Sequence, residues 1–275
     1  MPTVKLTTGL KKEYQQLFDT CMIRPGRAQQ VETLVSRIAQ NRSRYATVGD
    51  GLGIPWYFIG VVHNMEASLN FKTHLRNGDP LTARTVQVPA GRPKTGSPPF
   101  SWEESATDAL RLEGLHQWTD WSIPGILYKM EAYNGFGYRT GHPEVLSPYL
   151  WSFSNHYTRG KFVADGAFSP DAVSQQCGAA ILLRRMAETG TIKFDPAGVP
   201  LFGDKQSSGA TTVAQFEPFV KFSNTEKSDL AAELQRALNN FPGIFVKVDG
   251  IPGDKTSEAF KKVTGHFLMG DPRAQ

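Results

Sequence analysis

The segment PWYFIGVVHNMEASL, residues 55–69, constrains this chain more than any other stretch. It is apolar on nearly every side, whereas a helix lying on a surface carries a polar stripe. A helix of this kind belongs in the middle of a core, with other elements packed around it. Gly49, Gly51 and Gly53 break the chain just before it, and Pro55 suits a first helical turn. The unbroken apolar run from Pro55 to Val62 is too short to cross a bilayer, so membrane insertion is not expected.

The flanking sequence supplies amphipathic partners. LKKEYQQLFDTC places Leu10, Tyr14, Leu17, Phe18 and Cys21 on one helical face, and the stretch from Arg27 to Tyr45 does the same with Val31, Leu34, Val35 and Ile38. Ser101, with Glu104 three residues on, forms a capping-box pattern at the head of WEESATDALRLEGL. Further helices are expected over Pro124 to Tyr133 and Asp171 to Thr189. Between the apolar segment and Ser101, 70–100 reads as a turn (NGDP), a short strand or hairpin (ARTVQVP) and an ordered loop. The fold class is therefore mainly α with a small β-hairpin.

At 275 residues the chain is long enough for one large or two unequal domains. The stretch FDPAGVPLFGDKQSSGATTVAQ is rich in Gly, Pro, Ser and Thr and reads as a linker over 196–223, between a domain at 1–195 and a module at 224–275. In that module EKSDLAAELQRALNNFPG forms a helix with Leu230, Leu234 and Leu238 on one face. VDGIPGDKT turns, and SEAFKKVTGHFL directs Phe260, Val263 and Phe267 inward. About 50 residues is small for independent stability, so docking on the larger domain or a further helix is expected.

The net charge of +4 is unevenly spread. From Asn224 onward seven Lys/Arg meet seven Asp/Glu, which leaves 23 against 19 in the rest of the chain. A mildly basic body suits an anionic polymer, but no Lys/Arg run is present, so nucleic acid is not an expected partner. Two cysteines, Cys21 and Cys177, pair or stay free. The first residues contain no apolar h-region and show no secretory signal.

Glu66 closes the apolar segment, with His63, Val62 and Ile59 three, four and seven positions before it. Desolvation on that face disfavours the charged carboxylate, and the C-terminal end of a helix does the same. An acid that keeps its proton near neutral pH is what cleavage of a glycosidic bond requires. A surface glutamate near a helix end would share the same spacing. His63 and Glu66 also form half of a carboxylate metal motif. No second copy follows, so a core histidine is expected, and no metal or other cofactor.

HNMEASLNF resembles the helix end of goose-type lysozymes and soluble lytic transglycosylases, where the glutamate is the catalytic acid; here Glu-Ala-Ser stands where that family has Glu-Ser. EAYNGFGYR resembles the family's AYN-G motif about 65 residues downstream, which implies that Tyr133 and Asn134 line the site. Asp79, 13 residues after Glu66, has a spacing similar to that of a proposed goose-type base. An inverting hydrolase needs such a base ~6.5–9.5 Å from the acid. Without it, a lytic transglycosylase is the alternative, or Thr82 and Thr85 hold the water. SPYLWSFSNHYTRGKF offers Tyr149, Trp151, Phe153 and Tyr157 for stacking on sugars, with Asn155, His156 and Lys161 for hydrogen bonds; a loop packed on the core is the plainer reading.

In the tail, Leu234, Gln235, Leu238, Asp249, Gly250, Gly253, Thr256 and Phe260 resemble the peptidoglycan-binding type 1 module. Together the resemblances imply a monomeric N-acetylmuramidase acting on peptidoglycan glycan strands, with a lysozyme-like domain carrying Glu66 and Asp79. Such a protein stays cytoplasmic until released, as a phage endolysin does, or is delivered to the wall. A non-catalytic wall-binding or phage structural protein, and chitin or chitosan as substrate, stay open as alternatives.

Overall fold

The computed structural model describes residues 4–194, 220–239, 241 and 244–274, and shows a mainly helical protein with one small antiparallel sheet. The helices of the larger part are α1 (Thr8–Asp19), α2 (Ala28–Gln40), α3 (Arg42–Asp50), α4 (Trp56–Ala67), α5 (Trp102–Leu112), α6 (Ile123–Tyr133), α7 (Gly137–Gly141), α8 (Pro148–Trp151) and α9 (Ala179–Glu188). Among the described residues no helix is long and apolar enough to cross a membrane.

The apolar segment forms α4 and lies against α2, α3 and α9. Phe58, Ile59, Val61 and Val62 are wholly buried, each contributing about 1.5–3 kcal/mol by burial. Gly60 lets α2 and α3 come close: a Cβ there would stand 2.5 Å from Ile38 Cγ2 and 3.1 Å from the Tyr45 ring. The stretch from Arg27 to Tyr45 is two helices rather than one. Asn41 breaks it, donating from Nδ2 to the Arg37 carbonyl at 2.9 Å. Ser101 caps α5 through both halves of the expected box, Ser101 Oγ receiving Glu104 N and Glu104 receiving Ser101 N. On the far side of α6, buried Glu131 receives the Tyr14 hydroxyl and Arg139.

Two local readings are corrected. The stretch 70–100 contains no regular strand, only an isolated bridge between Thr73 and Pro80. A strand needs its N–H groups for a neighbour; here Asp79 takes those of Val86 and Gln87, and Pro89, Pro93, Pro98 and Pro99 have none to give. The sheet lies elsewhere, pairing β1 (Lys161–Ala164) with β2 (Ala167–Ser169) in a hairpin. The second correction is that α9 starts at Ala179 and not near Asp171. Gly178 N donates to Ser152 O, and a Cβ at Gly178 would stand 2.3 Å from the Leu150 carbonyl, so this chain runs extended against the end of α8.

The C-terminal part, α10 (Asp229–Leu238) and α11 (Asp254–Thr264), has its own small core of Leu238, Ile244, Val246 and Ala259, flanked by Leu234, Phe260 and Val263. Leu230 is exposed, and Phe267 lies between Lys261 Nζ and Arg273 rather than inward. The motif residues make a buried junction. Gln235 donates to Asp249 Oδ1, the Ile251 carbonyl and Thr256 Oγ1, and accepts from Asp249 N and Gly250 N. Gly250, at φ +75°, and Gly253 fit where a Cβ would meet the Ser228 carbonyl at 3.0 Å and Asn224 Oδ1 at 2.5 Å. Most of the expected linker, 196–219, lies outside the described residues. Lys221 and Phe222, read as its end, instead bridge to Met269 within the module. The module touches the larger part through Arg236 with Asp19 at 3.2 Å and Arg184 over the Phe245 ring at 4.0 Å.

Candidate active site

The end of α4 is held by its own backbone and by the chain before α9. Ser68 and Leu69 adopt left-handed φ of +50° and +60°, turning the chain sharply after Glu66, and Gln176 Nε2 donates to the Met65 carbonyl at 2.7 Å. The Glu66 side chain just before that turn is half-buried. Its Oε1 accepts the Tyr149 hydroxyl of α8 at 2.8 Å. Burial pushes its carboxyl above the ordinary glutamate value, opposed by the Tyr149 hydrogen bond and the charge of Arg76. Burial and the Glu66 charge together keep the Tyr149 phenol protonated, so it stays a donor.

Tyr133, the last residue of α6, completes the group. Its hydroxyl is buried, with the Arg76 guanidinium as its nearby donor but no well-formed hydrogen bond to it. Arg76 lies with its guanidinium carbon 5.8 Å from the Tyr133 ring centre and forms an ion pair with Glu113, the residue that ends α5. Neither Arg76 nor Glu113 stands out in the sequence. A lone Arg beside a turn and a Glu at a helix end carry no local signal; only the fold brings them together.

The other expected site residues are placed differently. Asn134 caps α6 and is exposed. Asp79 Oδ2 accepts from Val86 N at 2.8 Å, Asn77 Nδ2 at 2.9 Å and Gln87 N at 3.1 Å. The backbone N–H groups of Gln87 and Val86 hold its carboxyl below the usual aspartate range. Thr85 accepts Arg92 N and donates to the Pro89 carbonyl, within the same loop, and Arg92 ties that loop to Asp108 of α5; Thr82 is exposed. Trp151 is 1% exposed, edge-on to His156, and offers no free face to a sugar.

The remaining polar groups of that cluster serve the chain itself. Asn155 bonds Met22 N and Thr20 O, and His156 bonds the Leu17 carbonyl. The Tyr157 hydroxyl bonds Gly160 O and Ser174 N. Arg27 stands 4.4 Å over the Phe153 ring. Lys161 opens β1, opposite Ser169. His63 is a buried core histidine held by Tyr45 at 3.0 Å, its pKa pushed down to about 4 by burial. Both cysteines are buried and free. A cleft of about 280 Å³ opens between Val145, Tyr157, Arg159 and Phe168 and includes none of the Glu66 group.

The group that converges is thus Glu66, Tyr149, Tyr133 and Arg76 with Glu113. It pairs a desolvated carboxylic acid with a fixed donor and a nearby cation, which equips it to release a proton and hold the carboxylate left behind. Compared with known proteins, the chain matches no family model, no curated protein and no solved structure.

Proposed function

We propose that the protein cleaves the β-1,4 bond between N-acetylmuramic acid and N-acetylglucosamine in peptidoglycan, as a lysozyme-like N-acetylmuramidase with Glu66 as the acid. The observation that carries this reading is the Glu66 carboxyl, desolvated at the end of α4 and bonded to Tyr149. Protonation of the leaving oxygen by such an acid accelerates bond cleavage. Tyr149 and Arg76 then stabilise the carboxylate, and the Tyr133 hydroxyl beside them bonds the sugar. The target is argued from the C-terminal module, whose Gln235, Asp249, Gly250 and Thr256 carry the resemblance to peptidoglycan-binding modules. The 1–195 part is then the catalytic domain and the module holds it to the wall. Glycan strands are the expected partner of both, bound by a monomer.

One observation favours a second reading. Asp79 gives Oδ2 to three donors, which leaves Oδ1 alone to activate a water and makes the group a weak base. A lytic transglycosylase needs no such base. Mass spectrometry of digested, purified peptidoglycan separates the two. Reducing-end muramic acid supports hydrolysis, 1,6-anhydro ends support transglycosylation with Glu66 as the shared acid, and uncut glycan overturns both.

A further inference from the structure

We propose that the cleft between the chain after α7 and the hairpin is a second binding site, which takes the end of a short peptide carrying one carboxylate and one ammonium. Peptidoglycan strands bear such peptides, so naming the wall as their source rests on the function proposed above; the chemistry of the cleft does not. The cleft holds about 280 Å³, just under the ~300–1,000 Å³ of small-molecule pockets, so its occupant is small. Three stretches of chain line it: 144–146, 156–159 and the end of the hairpin at Phe168 and Pro170. They are held in place before anything binds. Gly160 lets two of them meet, since a Cβ there would stand 3.0 Å from Val145 Cγ2 and 3.1 Å from Phe168 Cζ. The Phe168 ring lies flat on His142 at 3.6 Å. The Tyr157 hydroxyl bonds Gly160 and Ser174, and its carbonyl receives Arg24.

The lining selects the ligand. Arg159 and Glu144 bring one charge of each sign, a balance that suits a zwitterion and not a phosphate or other polyanion. Arg159 is paired with Asp171 at 2.9 Å and Glu144 with His142 at 3.3 Å. Pairs as exposed as these are weak, so a ligand carboxylate can take over Arg159, and an ammonium Glu144, at small cost. A guanidinium receives a carboxylate through two parallel N–H bonds. Val145, Leu146 and Pro170 offer apolar surface for a small side chain between the two charged ends. His156 adds an acceptor: burial lowers its pKa, so the ring is neutral, and Nε2 donates to the Leu17 carbonyl, which leaves Nδ1 to accept. A sugar is less well served. Tyr157 is 3% exposed and Phe168 packs against His142, Phe162 and Tyr138, so neither ring offers an open face. The stretch 144–146 runs into α8, so a peptide in the cleft lies on the segment that presents Tyr149 to Glu66.

The experiment is an NMR titration of the full, isotope-labelled chain with Nα-acetyl-L-lysyl-D-alanine, whose only charges are one ammonium and one carboxylate. Saturable amide shifts are expected at 144–146, 156–159 and 168–170. The C-terminal amide of the probe and its Nε-acetyl form are each expected to bind about fivefold or more weakly. Arg159→Ala and Glu144→Ala replace mostly exposed side chains, so both variants fold, and each is expected to lose about the same factor. Arg159→Ala should also bind the probe and its amide alike. Shifts elsewhere, no saturation, equal binding of the amide by the wild type, or tighter binding of N,N′-diacetylchitobiose overturn the proposal. A soluble muropeptide with its peptide attached should move the same amides; if only the free dipeptide does, the cleft stands and its peptide is not the wall's. Glycan release from purified walls keeps the two readings apart. Peptide binding by a protein that cuts no glycan upholds the cleft and sinks the muramidase reading. Cleavage without peptide binding does the reverse.

Discussion

Replacing Gln235 by Met tests whether the buried Gln235 junction of the C-terminal part is a folding device. The substitution keeps volume and removes every hydrogen bond of a side chain that is 1% exposed. Several partners keep other bonds: Asp249 Oδ1 still receives Ile251 N, and the Ile251 carbonyl still receives Gly253 N. Asp249 N and Gly250 N lose theirs. Each orphaned buried N–H costs about 1–3 kcal/mol. Asp249 is partly reached by water, so the sum is about 2–4 kcal/mol. A unit of this size has a total stability of only about 3–8 kcal/mol. Because the module has a core separate from that of α1–α9, calorimetry of the full chain should show its transition fall by roughly 10 °C or more. The main transition should stay in place. A module transition within a degree of the wild type, or an equal fall in both, would show that Gln235 does not hold the module together.

Tyr149→Phe removes the donor to Glu66. The acid should titrate higher and turnover on purified walls should drop about tenfold or more, with an unchanged rate counting against the role. Glu66→Gln should stabilise the fold at neutral pH. A carboxyl raised by burial contributes stability at low pH that is lost as pH rises through its folded value, so melting curves of the two proteins should converge in acid and part above it. Asp79→Asn should act in the opposite direction. Its carboxyl is held low by the 86–87 backbone, so its contribution is present above the ordinary aspartate range and lost as pH falls through the lowered value. The variant should lack that acid-side loss, and its turnover separates base from loop anchor. Gly60→Ala should cost about 1–3 kcal/mol by forcing α2 and α3 away from α4, measurable by urea unfolding.

What the sequence discloses is largely local. Apolar periodicity marks α1 and α2, an all-apolar run marks α4, and the Ser101 box marks the start of α5, because those signals lie within a few residues of each other. Glu66 was legible for the same reason, as a polar end on an apolar helix. Tyr149 was visible only as an aromatic for stacking; its bond to Glu66 spans 83 positions and depends on how α8 meets α4. Arg76 with Glu113 is a tertiary pairing of the same kind. The 70–100 loop was misread because strand-like residues there give up their N–H groups to a side chain, which β propensity does not register. In the tail the reverse holds. Gln235, Asp249, Gly250 and Thr256 stood out as a pattern, and the structure gives that pattern a cause in one buried junction.

The most direct measurement is release of soluble glycan fragments from purified peptidoglycan by the wild type and by Glu66→Gln, with wall binding followed by co-sedimentation. The variant is expected to bind the wall as the wild type does and to release fragments at least about a hundredfold more slowly. Equal release by the two proteins, or no release by the wild type, would contradict glycan cleavage by Glu66.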